Sequence, residues 1–257
     1  MELEPHLRQA RDRGRKLLIP YVTAGATPDW PDAVRAIADA GADAIEIGIP
    51  FSDPMMDGPV IQQASLVALQ AGTTPSGVLD TLASMEPGVP LVVMTYYNIV
   101  FRASERRFAG RLAEVGVSGA ILPDLQLDEA GSWCEAADAA GVASVLLVAP
   151  STPDERAMAI CSRSRGFVYG VGVMGITGER ASLATSARQA ATRLRRFTDL
   201  PVCIGVGVST PGQAAQVCAD ADGVIVGSAL VHRMLDGATP QDAADFVGAI
   251  RKALDSL

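Results

Sequence analysis

The chain has 257 residues, close to the ~250 typical of a parallel α/β barrel, so one domain spanning residues 1–257 is expected. About half of the residues are apolar and 5% aromatic, which makes Ala, Val, Leu and Ile the material of its core. A net charge of −8 argues against a nucleic-acid or anionic-membrane surface, both of which need a basic face.

In chain order, Glu2 to Arg13 reads as an extra amphipathic helix ahead of the first strand. This start lacks the apolar run of a secretory leader, and no later stretch offers about 18 uninterrupted apolar residues, so a cytoplasmic protein is expected. Short β-rich apolar runs then recur: LLIPYVT from Leu17, ADAIEIG from Ala42, PLVVMTY from Pro90 and SGAILPD from Ser118. ASVLLVA from Ala143, GFVYGVG from Gly166, PVCIGVG from Pro201 and DGVIVGS from Asp222 continue the series. Ala-rich segments with helical spacing separate them, such as PDAVRAIADA and PGQAAQVCAD, and Gln241 to Leu257 reads as the closing helix. Continuous apolar strands alternating with helices predict a (βα)8 TIM barrel with an added N-terminal helix. A doubly wound open sheet has the same periodicity.

The residue inventory narrows the chemistry. Lys16 precedes the first strand and Lys252 lies in the last helix, which argues against a Schiff-base aldolase. His6 and His232 both fall in helices, so neither a histidine metal cage nor a Ser-His-Asp triad is expected. Cys134, Cys161, Cys203 and Cys218 form no CxxC pair and read as buried, reduced thiols.

Carboxylates at strand ends remain. Glu46 interrupts the apolar strand AIEIGI, where alternation points it either into the barrel or toward the helices. It is either a buried Glu bonded to a neighbouring hydroxyl or a group whose desolvation raises its pKa and suits it to donate a proton. Asp53 and Asp57 lie in the next loop, constrained by Pro50, Pro54 and Pro59. Each alone fits a turn residue, whereas carboxylates from one βα unit at one barrel mouth fit acid–base work.

A glycine-rich set follows the late strands: Gly175 to Gly178 after the sixth, Gly205 to Gly207 at the seventh, and Gly227-Ser228 after the eighth. Loops there commonly bind phosphate through backbone N–H groups and a helix N-terminus. The loops Phe51 to Pro59 and Gly172 to Ser186 are expected to order together as a lid over a bound ligand.

IEIGIPFSDPMMDGPVIQ from Ile45, with LIPYVTAG before it and VMTYYN, ILPDL, GFVYGVGVMGITG and DGVIVGSALV after it, resembles the tryptophan synthase alpha subunit. The resemblance implies cleavage of indole-3-glycerol phosphate to indole and glyceraldehyde 3-phosphate without a cofactor. Glu46 would protonate indole C3, and Asp57 would accept the charge developing on the indole N–H. Thr23, Phe51, Tyr96, Tyr169 and Thr177 would contact substrate, and Gly178, Gly207, Gly227 and Ser228 its phosphate. The implied partner is a PLP-bearing beta subunit contacted by the loops after strands two to four, where Arg102 and Gln126 depart from the family pattern. Met56 and Gly172 stand where the family usually has Ala and Ser. A stand-alone indole-3-glycerol phosphate lyase and a non-catalytic homologue share the same motifs.

Overall fold

A computed structural model describes the backbone of residues 1–172 and 180–257, and side chains except those of 173–184. The chain runs α1 (Leu3–Asp12), β1 (Leu17–Thr23), α2 (Trp30–Asp39), β2 (Ile45–Gly48), α3 (Pro59–Gln70), α4 (Pro75–Ala83) and β3 (Leu91–Met94). It continues through α5 (Tyr97–Ala103), α6 (Glu105–Glu114), β4 (Val117–Ile121), α7 (Gly131–Ala140), β5 (Ala143–Val148), α8 (Asp154–Arg163) and β6 (Val168–Val171). The last elements are α9 (Arg180–Leu194), β7 (Val202–Gly205), α10 (Pro211–Cys218), β8 (Gly223–Val226), α11 (Ser228–Leu235) and α12 (Pro240–Leu254).

The strands close in sequence order into a parallel barrel, β8 pairing back onto β1. This confirms the barrel over the open sheet. Two connections hold more than the single helix expected, α3 and α4 after β2 and α5 and α6 after β3, while α11 and the closing helix α12 follow β8 as expected. Among the described residues no helix is long and apolar enough to cross a membrane.

Period-two alternation sorts the strand side chains into two cores. Leu18, Val22, Ile45, Ile47, Leu91 and Val93 face outward into the layer beneath the helices. Leu17, Ile19, Ala44, Val92, Ile121, Val145 and Cys203 fill the barrel interior. Glu46 lies between Ala44 and Gly48 on β2, so alternation turns it inward.

The amino-terminal end of the barrel is sealed by α1, whose Leu3 and Leu7 pack into the interior cluster beside Phe167. A Cβ on Gly119 or Gly166 would come within 2.7 or 2.6 Å of the Leu3 side chain, so glycine at each position makes room for the plug. Two aspartates tie strand starts together at the same end. Asp43 accepts the Leu18 N–H at 2.8 Å and Asp222 accepts the Val202 N–H at 2.9 Å. Asp43 is also held by Arg15 at 2.6 Å and by the buried Arg251 of α12 at 3.2 Å. Lys16 donates to the Ala221 carbonyl, well away from the opposite mouth. The four cysteines are buried and unpaired, as expected.

Leu7 is fully buried, so Leu7→Ala is expected to lower the unfolding free energy by about 2–5 kcal/mol, a lost side chain plus an unfilled cavity. Urea denaturation measures this. A variant as stable as the parent would mean that α1 does not plug the barrel.

Candidate active site

The carboxyl ends of β1, β2 and β3 bring together most of the side chains singled out from the sequence. Glu46 is 1% exposed, and neither of its carboxylate oxygens has a hydrogen-bond partner among the described residues. Loss of solvent, and next the nearby Asp57 charge, push its pKa up from 4.5 to about 8. The reading of Glu46 as hydrogen-bonded to a hydroxyl is therefore not met in this state.

Asp57 is held differently. The Tyr96 hydroxyl, just ahead of α5, donates to Asp57 Oδ2 at 2.9 Å and accepts the Met56 N–H at 2.9 Å. Tyr96 in turn stacks on Phe51, with ring centroids 4.9 Å apart. Gln62 from the first turn of α3 donates to the Asp57 carbonyl at 2.9 Å. One tyrosine thus fixes both the carboxyl group and the backbone of the loop. Burial raises the Asp57 pKa above its ordinary value, opposed by the Tyr96 hydrogen bond. Asp53 is exposed and bonded to Ser52, the behaviour of a turn residue. Met56 meets the site through its N–H alone, since its side chain is exposed.

Thr23 is buried at the end of β1, and its hydroxyl donates to Tyr21 Oη at 3.4 Å. Tyr169 of β6 is part of the interior, and burial followed by the Glu46 charge drives its phenol pKa far up. Tyr21 was not singled out from the sequence. It pairs in register with Glu46 across β1 and β2. Counting alternate residues from Leu17 was the signal available, because Leu17, Ile19, Tyr21 and Thr23 share a face.

At the other side of the mouth, Gly207 adopts φ 72°, a left-handed conformation. Gly227 and Ser228 open α11, whose first amides have no partner within the helix. Gly205 does something else: a Cβ there would lie 2.5 Å from the Tyr169 hydroxyl, so it clears space for that ring. Thr177 and Gly178 lie outside the described residues, as does the middle of the expected lid segment Gly172 to Ser186. Gly172 itself continues the β6–β7 ladder through its N–H to the Gly205 carbonyl at 2.9 Å. A Cβ there would come within 2.5 Å of Val206. His232 pairs with Asp236 on the surface of α11, and among the described residues no cluster of His, Cys, Asp and Glu could hold a metal ion.

A closed parallel barrel whose carboxyl-end mouth carries a desolvated glutamic acid and a tyrosine-held aspartate defines a (βα)8-barrel enzyme. A family model described as "Tryptophan synthase alpha chain" matches residues 7–252. The tryptophan synthase alpha chain of Streptomyces coelicolor is 46% identical over 98% of this chain and 94% of its own length. That of Halorhodospira halophila is 45% identical over 96% and 94%. Among solved structures, Mycobacterium tuberculosis tryptophan synthase superposes with a TM-score of 0.90 at 38% identity, covering 98% of this chain and 97% of that one. Legionella pneumophila tryptophan synthase subunit alpha gives 0.89 at 31% identity over the whole of both chains. The chain belongs to the tryptophan synthase alpha chain family, and is a lyase.

Burial of Glu46 has a stability signature. Its folded-state pKa is the higher one, so between 4.5 and about 8 the folded protein keeps a proton that the unfolded chain releases. The stability from this group is complete below that window and declines as pH rises through it. Unfolding free energies between about pH 5 and pH 8 should fall more steeply for the parent than for Glu46→Gln, which has nothing to ionise. Identical slopes in urea titrations would mean that Glu46 is ionised throughout.

Proposed function

We propose that the chain cleaves indole-3-glycerol phosphate to indole and glyceraldehyde 3-phosphate, as the alpha subunit of a tryptophan synthase. The observation that carries this reading is Glu46: an inward-facing carboxyl group with no hydrogen-bond partner, still protonated near neutral pH, at the mouth that also holds Asp57. A proton donor for carbon must be acidic enough to give up its proton and still protonated at working pH. Glu46 meets both needs.

In this reading Glu46 donates to indole C3, turning the ring into an electron sink. The Asp57 carboxylate accepts a hydrogen bond from the ring N–H, where positive charge develops, and Tyr96 keeps that carboxylate in position. The bond between C3 and the glycerol carbon breaks with its electrons passing into the ring. The glycerol hydroxyl gives its proton to the Glu46 carboxylate as it becomes the aldehyde, so the substrate gains one proton and loses one and Glu46 ends protonated as it began. Phe51, Tyr96, Tyr169 and Thr23 border the indole and glycerol positions. Gly207, Gly227 and Ser228 offer backbone amides to the phosphate at the opposite side, and Thr177 and Gly178 complete that set by family resemblance.

A beta subunit is the proposed partner. Met55 and Met56 of the loop after β2 and Phe101 of α5 are exposed large apolar side chains, which suits a surface covered by another protein. Gln126 accepts from Arg156, which is itself paired with Asp128, so its departure from the family pattern is absorbed within the chain. Arg102 adjoins Phe101 at the exposed end of α5.

Glu46→Gln and Asp57→Asn are each expected to lower kcat for indole formation by at least about 100-fold with the fold retained, the usual scale for a positioned proton-transfer group. In the parent, kcat should fall above about pH 8 as Glu46 loses its proton. Near-normal turnover in either variant would remove that residue from the mechanism. Inorganic phosphate should compete with substrate, and Gly207→Val, which blocks the approach to the amides and cannot easily hold φ 72°, should raise KM. Unchanged KM in that variant, or non-competitive phosphate, would locate the phosphate elsewhere.

A further inference from the structure

Glu46 poses a problem once it has acted. Having given its proton away, it is a carboxylate buried in the barrel with no donor on either oxygen among the described residues, a state that costs far more than the neutral acid. Among the described residues, the groups whose charges it feels or that feel its own are Tyr21 of β1, Asp57 of the following loop and Tyr169 of β6. None is a cation. Relief then comes from a hydrogen bond, and Asp57 is already engaged by the Tyr96 hydroxyl.

Tyr21 is built for that role. Its backbone pairs with that of Glu46 across β1 and β2. Its hydroxyl lies against β2 at Gly48, two residues beyond Glu46 on the same face, where a Cβ would sit 1.9 Å from Oη. Glycine at 48 is thus the condition for a phenol oxygen to reach this point. Behind it, Thr23 donates its own hydrogen to Tyr21 Oη at 3.4 Å, which leaves the phenol hydrogen free to turn to another acceptor. Among the described residues that hydrogen has no acceptor. Tyr169 reaches the pocket from β6 on the far side of the barrel, and no described hydroxyl donates to its oxygen.

We propose that Tyr21 is a positioning residue for Glu46, turning its hydroxyl hydrogen onto the Glu46 carboxylate when that group has released its proton, with Thr23 orienting the phenol from behind. The assignment rests on Glu46 as the proton donor only for its effect on turnover. The pairing itself is a property of the free protein. The phenol keeps its proton throughout, consistent with the upward pressure that burial puts on Tyr21, and no group other than Glu46 changes protonation.

The test is the titration of Glu46 in the ligand-free protein, read by the carboxyl resonance of carbon-13-labelled glutamate and assigned by its absence in Glu46→Gln. Tyr21→Phe preserves the ring and removes the donor. It should move the Glu46 midpoint up by about one pH unit and lower kcat about 10-fold with little change in KM, the effect of losing one hydrogen bond to a charged group. The alkaline fall of kcat should move with the midpoint. Replacing Tyr21 by 3-fluorotyrosine, a stronger donor of nearly the same shape, should move the midpoint down, and this arm decides the matter if Tyr21→Phe does not fold. A Glu46 midpoint unchanged in the variants overturns the proposal, including the case where kcat and KM both suffer, which would mark Tyr21 as packing alone. If the midpoint follows Tyr21 while Glu46→Gln keeps its turnover, the pairing stands and the catalytic reading of Glu46 fails.

Discussion

A carboxyl group buried inside the barrel, with no donor on either oxygen among the described residues, is the constraint around which this molecule is arranged. The rise of the Glu46 pKa from 4.5 to about 8 corresponds to an ionisation cost on the order of 5 kcal/mol, comparable to the whole stability margin of many domains. The fold tolerates that position because the acid stays neutral under ordinary conditions. The same expense makes the proton transferable. Asp57 is only partly buried, and the Tyr96 hydrogen bond opposes the upward push that burial gives its pKa. The two carboxyl groups of one βα unit thus sit in different surroundings, which is what the roles proposed for them require.

That division depends on the strand alternation being kept without slippage. In a parallel barrel both strand faces are buried, and moving β2 by one residue would exchange Glu46 with Ile45 or Ile47 and send the carboxyl group under the helices. Register is held at the amino-terminal end, far from the chemistry, by Asp43 on Leu18 and Asp222 on Val202. Arg251 links that network to α12. Conserving the geometry of the mouth is thus in part the work of ion pairs at the opposite end, as in other barrels where one face carries stability and the other function.

Eight strands were legible because buried parallel strands are written as unbroken apolar runs: the run from Leu17 coincides with β1, and the run from Ala143 starts where β5 does. The direction of Glu46 was not, for the same reason: with both faces apolar, β2 alone gives no parity, and only Ala44 and Gly48 packing inward with neighbouring strands settles it. The splitting of connections into α3 with α4 and α5 with α6 was hidden by short helices that share continuous helix-forming sequence. Glycines carried a second meaning that was not legible: Gly205, read within a phosphate-binding set, also makes room for Tyr169, and Gly172 does so for Val206. Clearance for a side chain more than thirty residues away leaves no local mark in a sequence.

The plug at the base of the barrel ties together parts of the chain that are made at very different times. Glu4 of α1 accepts the Gly166 N–H across 162 residues of sequence, and Leu3 rests on Gly119 and Gly166. Until the strands around those glycines are complete, α1 has no seat, and its apolar side is open to solvent or to other chains. The seat of α1 is therefore built from residues within β4 and just ahead of β6, and is complete only when both strands are in place. Any change to α1 thus acts on the sealing of the core, at the end of the barrel opposite the candidate site.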